Sequence, residues 1–356
     1  MRGRRYLSLD EYAGISHESL FNIDAMNGFC KEYFKPESTN LKDELRDEFV
    51  SWIASSIGEI IDQVYPFRDP TDASAYTGLA GIALILLKTW RNQDRYFKSP
   101  PKWHDRNALE WSHLFVHQAL SMEPRHLNSV HRVGFYCSLV GTLAISAAVD
   151  IERGRSSEAK KSIDLILAIF PNVDVDGVEW DAFNGLAGYL YALRFIQSEI
   201  QSLPDFTSEC QQLINVIPAI VGMIVQRGKE EAGKGIEYGI WSWHSKVYLG
   251  AAHGIVGILS QIVQSGWFPR HYNFVRATFD FVDRQKKNLV DGKNVKSNSS
   301  DPSIANYPSS FEHAGAPELF QFCHGAPGFI PLFSELIKQL DTFIDKNPLM
   351  SGMLYF

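Results

Sequence analysis

Seven residues near the C-terminal end, Phe322-Cys323-His324-Gly325-Ala326-Pro327-Gly328, bring together a thiol, an imidazole and two glycines. A cysteine beside a histidine can be a metal ligand, a nucleophile, or a buried thiol with a hydrogen-bonded neighbour. As a metal site the pair is incomplete alone, because zinc takes three or four protein ligands. A second imidazole, His253, stands directly before a glycine in Gly250-Ala251-Ala252-His253-Gly254, and the stretch Trp241 to Tyr248 ahead of it supplies aromatic surface that can wall a pocket. Asp181, in Trp180-Asp181-Ala182-Phe183, lies four residues before Gly185. Its structural reading is helix capping. Its chemical reading is one half of a general acid/base pair, if an imidazole from another segment converges on it.

What must position these groups is a repeated element. The skeleton G-x-x-G opens an apolar run at Gly78 to Gly81, Gly185 to Gly188, Gly254 to Gly257 and Gly325 to Gly328, and a further copy has Ser138 in the first glycine's place before Gly141. Glycine lets backbones approach closely and permits turn dihedrals, which is the structural reading of any single copy; several copies exposing their first helical N–H groups to one centre would also favour an anion there. Before the first copy, Leu41, Leu45, Phe49, Trp52, Ile53, Ile57, Ile61 and Val64 follow amphipathic helical spacing up to Pro66. After it, Ile82 to Leu87 is apolar on every face and predicts a helix buried on all sides.

That alternation recurs, with amphipathic helices expected near 106 to 120, 155 to 170, 206 to 226 and 272 to 287, each ahead of its own glycine motif. Strict period-two alternation is scarce, so the chain is read as all-α, five helical hairpins long. The second glycines, at 81, 141, 188, 257 and 328, are too unevenly spaced for a tight solenoid and suggest hairpins arranged around one centre. Residues 1–40 read as an N-terminal arm and 41–356 as the domain, and the segment from Lys286 to Phe320, rich in Ser, Asn, Asp and Pro, is expected to be its least ordered part.

A chain of 356 residues with 45% hydrophobic and 21% charged side chains is an ordinary globular composition. A net charge of -7 and a pI near 5.9 argue against general nucleic-acid binding, although Arg2, Arg4 and Arg5 could touch an anionic lipid surface. No apolar run approaches the roughly 18 residues of a membrane span, and four scattered cysteines fit a reduced cytoplasmic chain. No Walker A, dinucleotide, H-E-x-x-H or G-x-S-x-G pattern is present.

Tyr76 to Ala83, Tyr248 to Gly254 and Cys323 to Gly328 together resemble the lanthionine synthetase C-like family on its eukaryotic branch, over about residues 70 to 335. The resemblance implies an α/α toroid of two concentric helical layers, with about five of the family's seven hairpins in this chain. It implies a zinc-dependent addition of glutathione's thiol to dehydroalanine or dehydrobutyrine in proteins, with zinc as cofactor and glutathione as co-substrate. Cys323 matches one zinc ligand, His253 the histidine that assists proton transfer, and Asp181 an acidic position of the third unit. The family's second Cys-His pair has no counterpart, and too few residues follow Gly328 for another unit, so the expectation is a domain truncated at its C-terminal end with impaired activity, either as a fragment or alternative product or as a protein that has lost the metal site. Two alternatives stay open: a non-catalytic glutathione-binding, signalling or peripheral membrane adaptor, and an α/α-toroid glycosidase-like hydrolase, which needs two carboxylates where only Asp181 is placed.

Overall fold

A computed structural model of the chain describes residues 43–67, 70, 72–122, 131–290, 293–294, 304–312 and 319–346. The proposed arm at 1–40 lies outside them. Ten helices of eight residues or more alternate along the described chain: α1 (Asp43–Val64), α2 (Leu79–Tyr96), α3 (Ala108–Met122), α4 (Leu139–Glu152), α5 (Ser156–Leu167), α6 (Leu186–Ile200), α7 (Thr207–Ala232), α8 (Ile255–Ile262), α9 (Tyr272–Asp283) and α10 (Ile330–Lys346). They fall into two compact units, Met1–Arg68 with Thr89–Asn107, and Asp69–Lys88 with Ala108–Phe356.

In the first unit α1 buries Ile57 and Ile61 while Phe49 and Trp52 stay exposed, so only part of the apolar stripe is used. Trp103 donates its indole N–H to the Ala54 carbonyl at 3.1 Å. Trp103 and Arg106 close a tight turn through His104 and Asp105, both left-handed with φ of 48° and 62°.

The second unit has the two layers of the α/α toroid class. The helices that follow glycine motifs form one layer, α4 on α6, α6 on α8 and α8 on α10, and the preceding helices cover them, α3 and α5 against α4 and α7 against α6. Composition sets this division. Helix α4 buries every residue from Val140 to Asp150, and each of its large aliphatic side chains contributes roughly 1.5–3 kcal/mol on leaving water. By contrast α7 turns Leu213, Ile217, Ile220, Ile224 and Val225 inward and Ile214 outward. The segment Pro204–Ala232 is long and apolar enough to cross a membrane, and it packs here as the covering helix of α6. Helix α2 departs from the expected complete burial: Ala83, Leu86 and Leu87 are inside while Ile85 is exposed, because a continuous apolar run still presents one side to whatever neighbours the packing provides.

Three of the glycine motifs share one backbone pattern. Leu79, Ala80 and Gly81 donate to the carbonyls of Asp72, Ala73 and Ser74, Leu186, Ala187 and Gly188 to Glu179, Trp180 and Asp181, and Ile255, Val256 and Gly257 to Tyr248, Leu249 and Gly250. Each donor reaches a carbonyl seven residues upstream. In these three units the first-turn N–H groups are therefore taken by the preceding loop and are not free for an anion. The second glycine is required by the same fold-back: a Cβ at Gly188 would run into the Ala182 carbonyl and one at Gly257 into the Ala251 carbonyl. Ser138 serves where its unit lacks the first glycine, donating to the Gly134 carbonyl at 2.7 Å and accepting from the Val140 N–H at 3.2 Å as the N-cap of α4.

The segment expected to be least ordered contributes an antiparallel three-stranded sheet, β1 (Lys287–Val290), β2 (Lys293–Asn294) and β3 (Ile304–Asn306), in the order β2-β1-β3. This small sheet is an addition to an otherwise helical architecture.

Candidate functional site

Asp181 sits in the folded-back loop ahead of α6, and its two oxygens have different tasks. Oδ1 accepts from the backbone N–H groups of Phe183 and Asn184, both at 2.6 Å. This fixes the turn that presents Gly185 and satisfies donors that would otherwise be orphaned. Oδ2 is left facing His253 Nδ1 at 3.3 Å. The two atoms are near enough for an ion pair but not aligned for a hydrogen bond, so both are buried without a hydrogen-bond partner. Such a gap can tighten when a ligand enters. The carboxylate and the imidazole, read separately from different units, do converge.

Asp181 is 2% exposed and His253 18%, so the imidazole is the member that a ligand can reach. Its ring lies flat on the indole of Trp243, with centroids 3.9 Å apart and planes 4° from parallel. Phe183 meets it edge-on at 5.4 Å. Trp243 is presented by a two-residue turn in which Trp243 and Lys246 exchange backbone hydrogen bonds of 2.9 and 3.1 Å, and His244 and Ser245 are left-handed with φ of 48° and 62°. Two successive non-glycine residues in that region carry strain, held here by the stacked ring. The turn at 103–106 has the same dihedrals and the same Trp-His start. That repeat of Trp-His-Asp-Arg and Trp-His-Ser-Lys is a signal for the placement of Trp243 that a search for glycine motifs alone overlooks.

The aromatic wall continues in both directions. Tyr76 and Tyr136 approach Phe183 at 4.7 and 5.0 Å, and Tyr248 lies between the two imidazoles, 6.5 Å from His253 and 5.7 Å from His324. Burial lowers the proton affinity of His324, and the charge on His253 acts in the same direction. The Nδ1 atom of His324 is buried without a hydrogen-bond partner. Cys137 borders the same space, and its thiol is pushed up first by burial, then by the charges of Asp181 and Asp72. Asp72 stays below its ordinary value although burial alone would raise it, because Thr77 and the Ser74 N–H donate to it.

Cys323 is brought alongside the His253 loop through the backbone, since Gly250 has no room for a Cβ against the Cys323 carbonyl. Its thiol donates to Gln321 Oε1 at 3.2 Å. Among the described residues no three potential donors gather around Cys323; the His, Cys, Asp or Glu side chains that do cluster with one another are His113, His117 and Asp150. Residues immediately before each first glycine, or before Ser138, are Thr77, Cys137, Asn184, His253 and His324, all polar.

The strand-bearing segment holds this site from behind. Leu249 N–H donates to the Ser309 carbonyl at 3.1 Å, and Phe311 N–H to Val247 at 2.8 Å. Asn306, fully buried, accepts from Ala326 N–H at 2.7 Å and donates to the Leu319 carbonyl at 2.9 Å. Tyr307 stacks on Phe329 at 3.6 Å and donates to Asp283 at 2.8 Å. The sequence offers no signal for Asn306 and Tyr307, since an Asn-Tyr-Pro in a polar stretch reads as a loop.

Residues 69–348 match the family profile described as Lanthionine synthetase C-like protein. A relative from Danio rerio, Glutathione S-transferase LANCL1, is 26% identical over 310 residues, which cover 84% of this chain and 67% of the zebrafish protein.

Proposed function

The chain belongs to the lanthionine synthetase C-like family, and from that premise we propose that it adds the thiol of glutathione to dehydroalanine or dehydrobutyrine residues of proteins, with His253 and Asp181 handling the proton. The observation that carries this reading is the Asp181–His253 pair, its facing atoms 3.3 Å apart and unpartnered, with the imidazole stacked on Trp243. The name of the zebrafish relative supports glutathione as the thiol.

In the proposed step His253 takes the S–H proton as sulfur bonds to the β-carbon of the alkene. The π electrons move to the α-carbon and its carbonyl as an enolate, and the imidazolium returns the proton to the α-carbon. Nothing leaves, so the sum is an addition. Asp181 stabilises the imidazolium that exists between the two transfers, and its fixed Oδ1 keeps the carboxylate beside Nδ1. Trp243, Phe183 and Tyr248 exclude water from the enolate and fix the plane of the ring.

Zinc at Cys323 would stabilise the thiolate at neutral pH. The described residues provide the Cys323 sulfur without gathering two further donors round it, so they do not build a closed zinc site and no step above passes through one. A cytoplasmic location with the option of peripheral membrane contact completes the proposal, supported by the free thiols of Cys137, Cys210 and Cys323.

The test is incubation of the purified chain with glutathione and a dehydroalanine-containing peptide, with the adduct followed by mass spectrometry. An adduct formed above the uncatalysed rate and lost in His253→Ala is expected. Glutathione binding without an adduct, unchanged by His253→Ala, would replace the enzyme reading with the non-catalytic binding one.

A further inference from the structure

Away from the glycine loops, His113 and His117 are one turn apart on α3, their rings 4.1 Å centroid to centroid and 54° apart in plane. Facing them from the last turn of α4 is Asp150, whose side chain is 6% exposed. The donor atoms of the three residues lie within 4.8 Å of one another. Asp150 Oδ1 is buried with no hydrogen-bond partner, a position that costs free energy unless a cation approaches it. What stands nearest is Arg155, with Nε 3.8 Å from that oxygen and Nη1 3.4 Å from His113 Nε2. Both distances are too long for strong pairing, and Arg155 is anchored elsewhere by Glu158 at 3.3 Å.

We propose that His113, His117 and Asp150 form a binding site for a divalent transition-metal cation, separate from Cys323. Two imidazoles at i and i+4 with one carboxylate from the adjoining helix make a three-ligand set with room for water. Nitrogen donors select zinc, cobalt, nickel or copper over magnesium and calcium. Bonds of about 2.0–2.2 Å place tetrahedral donors roughly 3.3–3.5 Å apart, so closure requires rotation of His117, which is exposed and free to turn inward. The last turn of α4 presents the negative end of its dipole to the same spot, which further favours a cation. Arg155 must move aside, and Arg153 is the other nearby charge opposing the metal; Glu158 can receive the displaced guanidinium.

The experiment uses the full chain, stripped with EDTA, dialysed and titrated with cobalt(II) chloride under visible absorption, with bound metal counted by mass spectrometry. Wild type and Cys323→Ser are expected to share one equivalent of cobalt lacking a thiolate charge-transfer band, and His117→Ala to bind it roughly tenfold more weakly or worse. Because His117 is exposed, its removal leaves the core intact; Asp150→Asn, checked for unchanged circular dichroism, should show the same loss. Equal binding by His117→Ala and wild type overturns the site. So does cobalt bound only in the form that Cys323→Ser abolishes, or held no more tightly than magnesium.

Discussion

Replacing Asp181 with asparagine separates its two tasks. The asparagine carbonyl can still accept from Phe183 and Asn184, so the turn ahead of α6 survives, but the charge facing His253 is gone. At the observed 3.3 Å and an effective dielectric near 20, a carboxylate and an imidazolium attract by about 5 kcal/mol, a ceiling for what the substitution removes. The accessible edge of the imidazole lets solvent screen part of it, leaving about 3–4 kcal/mol, or roughly 10²- to 10³-fold in rate. The assay is single-turnover glutathione addition to a dehydroalanine peptide, read by mass spectrometry, with Tm and circular dichroism as controls for the fold. We expect the rate to fall by that factor while the glutathione concentration at half-saturation stays within about twofold. Nitrogen chemical shifts of His253 supply a second readout, because the introduced side-chain amide would present a donor to Nδ1 and favour the other tautomer. A rate within threefold of wild type and an unchanged tautomer would refute the role assigned to the carboxylate.

Gly257→Ala is expected to lower stability by about 3 kcal/mol, or to prevent soluble expression, because the new methyl meets the backbone carbonyl of Ala251 with nothing able to give way; urea unfolding measures it. Asn306→Ala leaves the Ala326 N–H and the Leu319 carbonyl unpaired and should cost about 2–3 kcal/mol, with hydrogen exchange accelerated first at 319–328. In metal-free buffer, stability should decline as pH falls from 6.5 towards 4. The folded chain resists protonating His113, held near 4, while the unfolded chain takes up that proton at the ordinary 6.5. His113→Gln should flatten that slope, and an unchanged slope in thermal melts would assign it elsewhere.

The hairpin alternation is legible in the sequence because local composition specifies it. A glycine pair ahead of an apolar run marks α6 and α8, a serine and a glycine mark α4, and four covering helices begin within two residues of where their periodicity predicts them, though they end elsewhere: α9 stops at Asp283, short of the expected 287. Asp181 and His253 each stand out by residue type and position, whereas their pairing depends on how adjacent loops lie against one another, which no local pattern encodes. Long-range backbone bonds are the hidden part. Nothing in Gly254-Ile255-Val256-Gly257 says that its N–H groups will be taken by carbonyls seven residues back, and this removes the anion seat that a free helix end would offer. Likewise Asn306 acts through partners 13 and 20 residues away, so a stretch of Ser, Asn and Pro that looks unstructured holds the Cys323 loop in place.

The fold-back of each glycine loop separates architecture from chemistry. In three of the units it is built from backbone bonds to carbonyls seven residues upstream, braced by the carboxylates of Asp72 and Asp181, while Ser138 and Asn306 serve the other two. The residue just ahead of the first glycine, or of Ser138, is not fixed by those backbone bonds, and this scaffold places a threonine, a cysteine, an asparagine and two histidines there. Evolution can therefore exchange the reactive group of one unit at little cost to folding, and a laboratory can do the same. Transplanting an imidazole to the Asn184 position would give a new catalytic combination on the same backbone frame, whereas a thiol at Thr77 would also give up that hydroxyl's bond to Asp72.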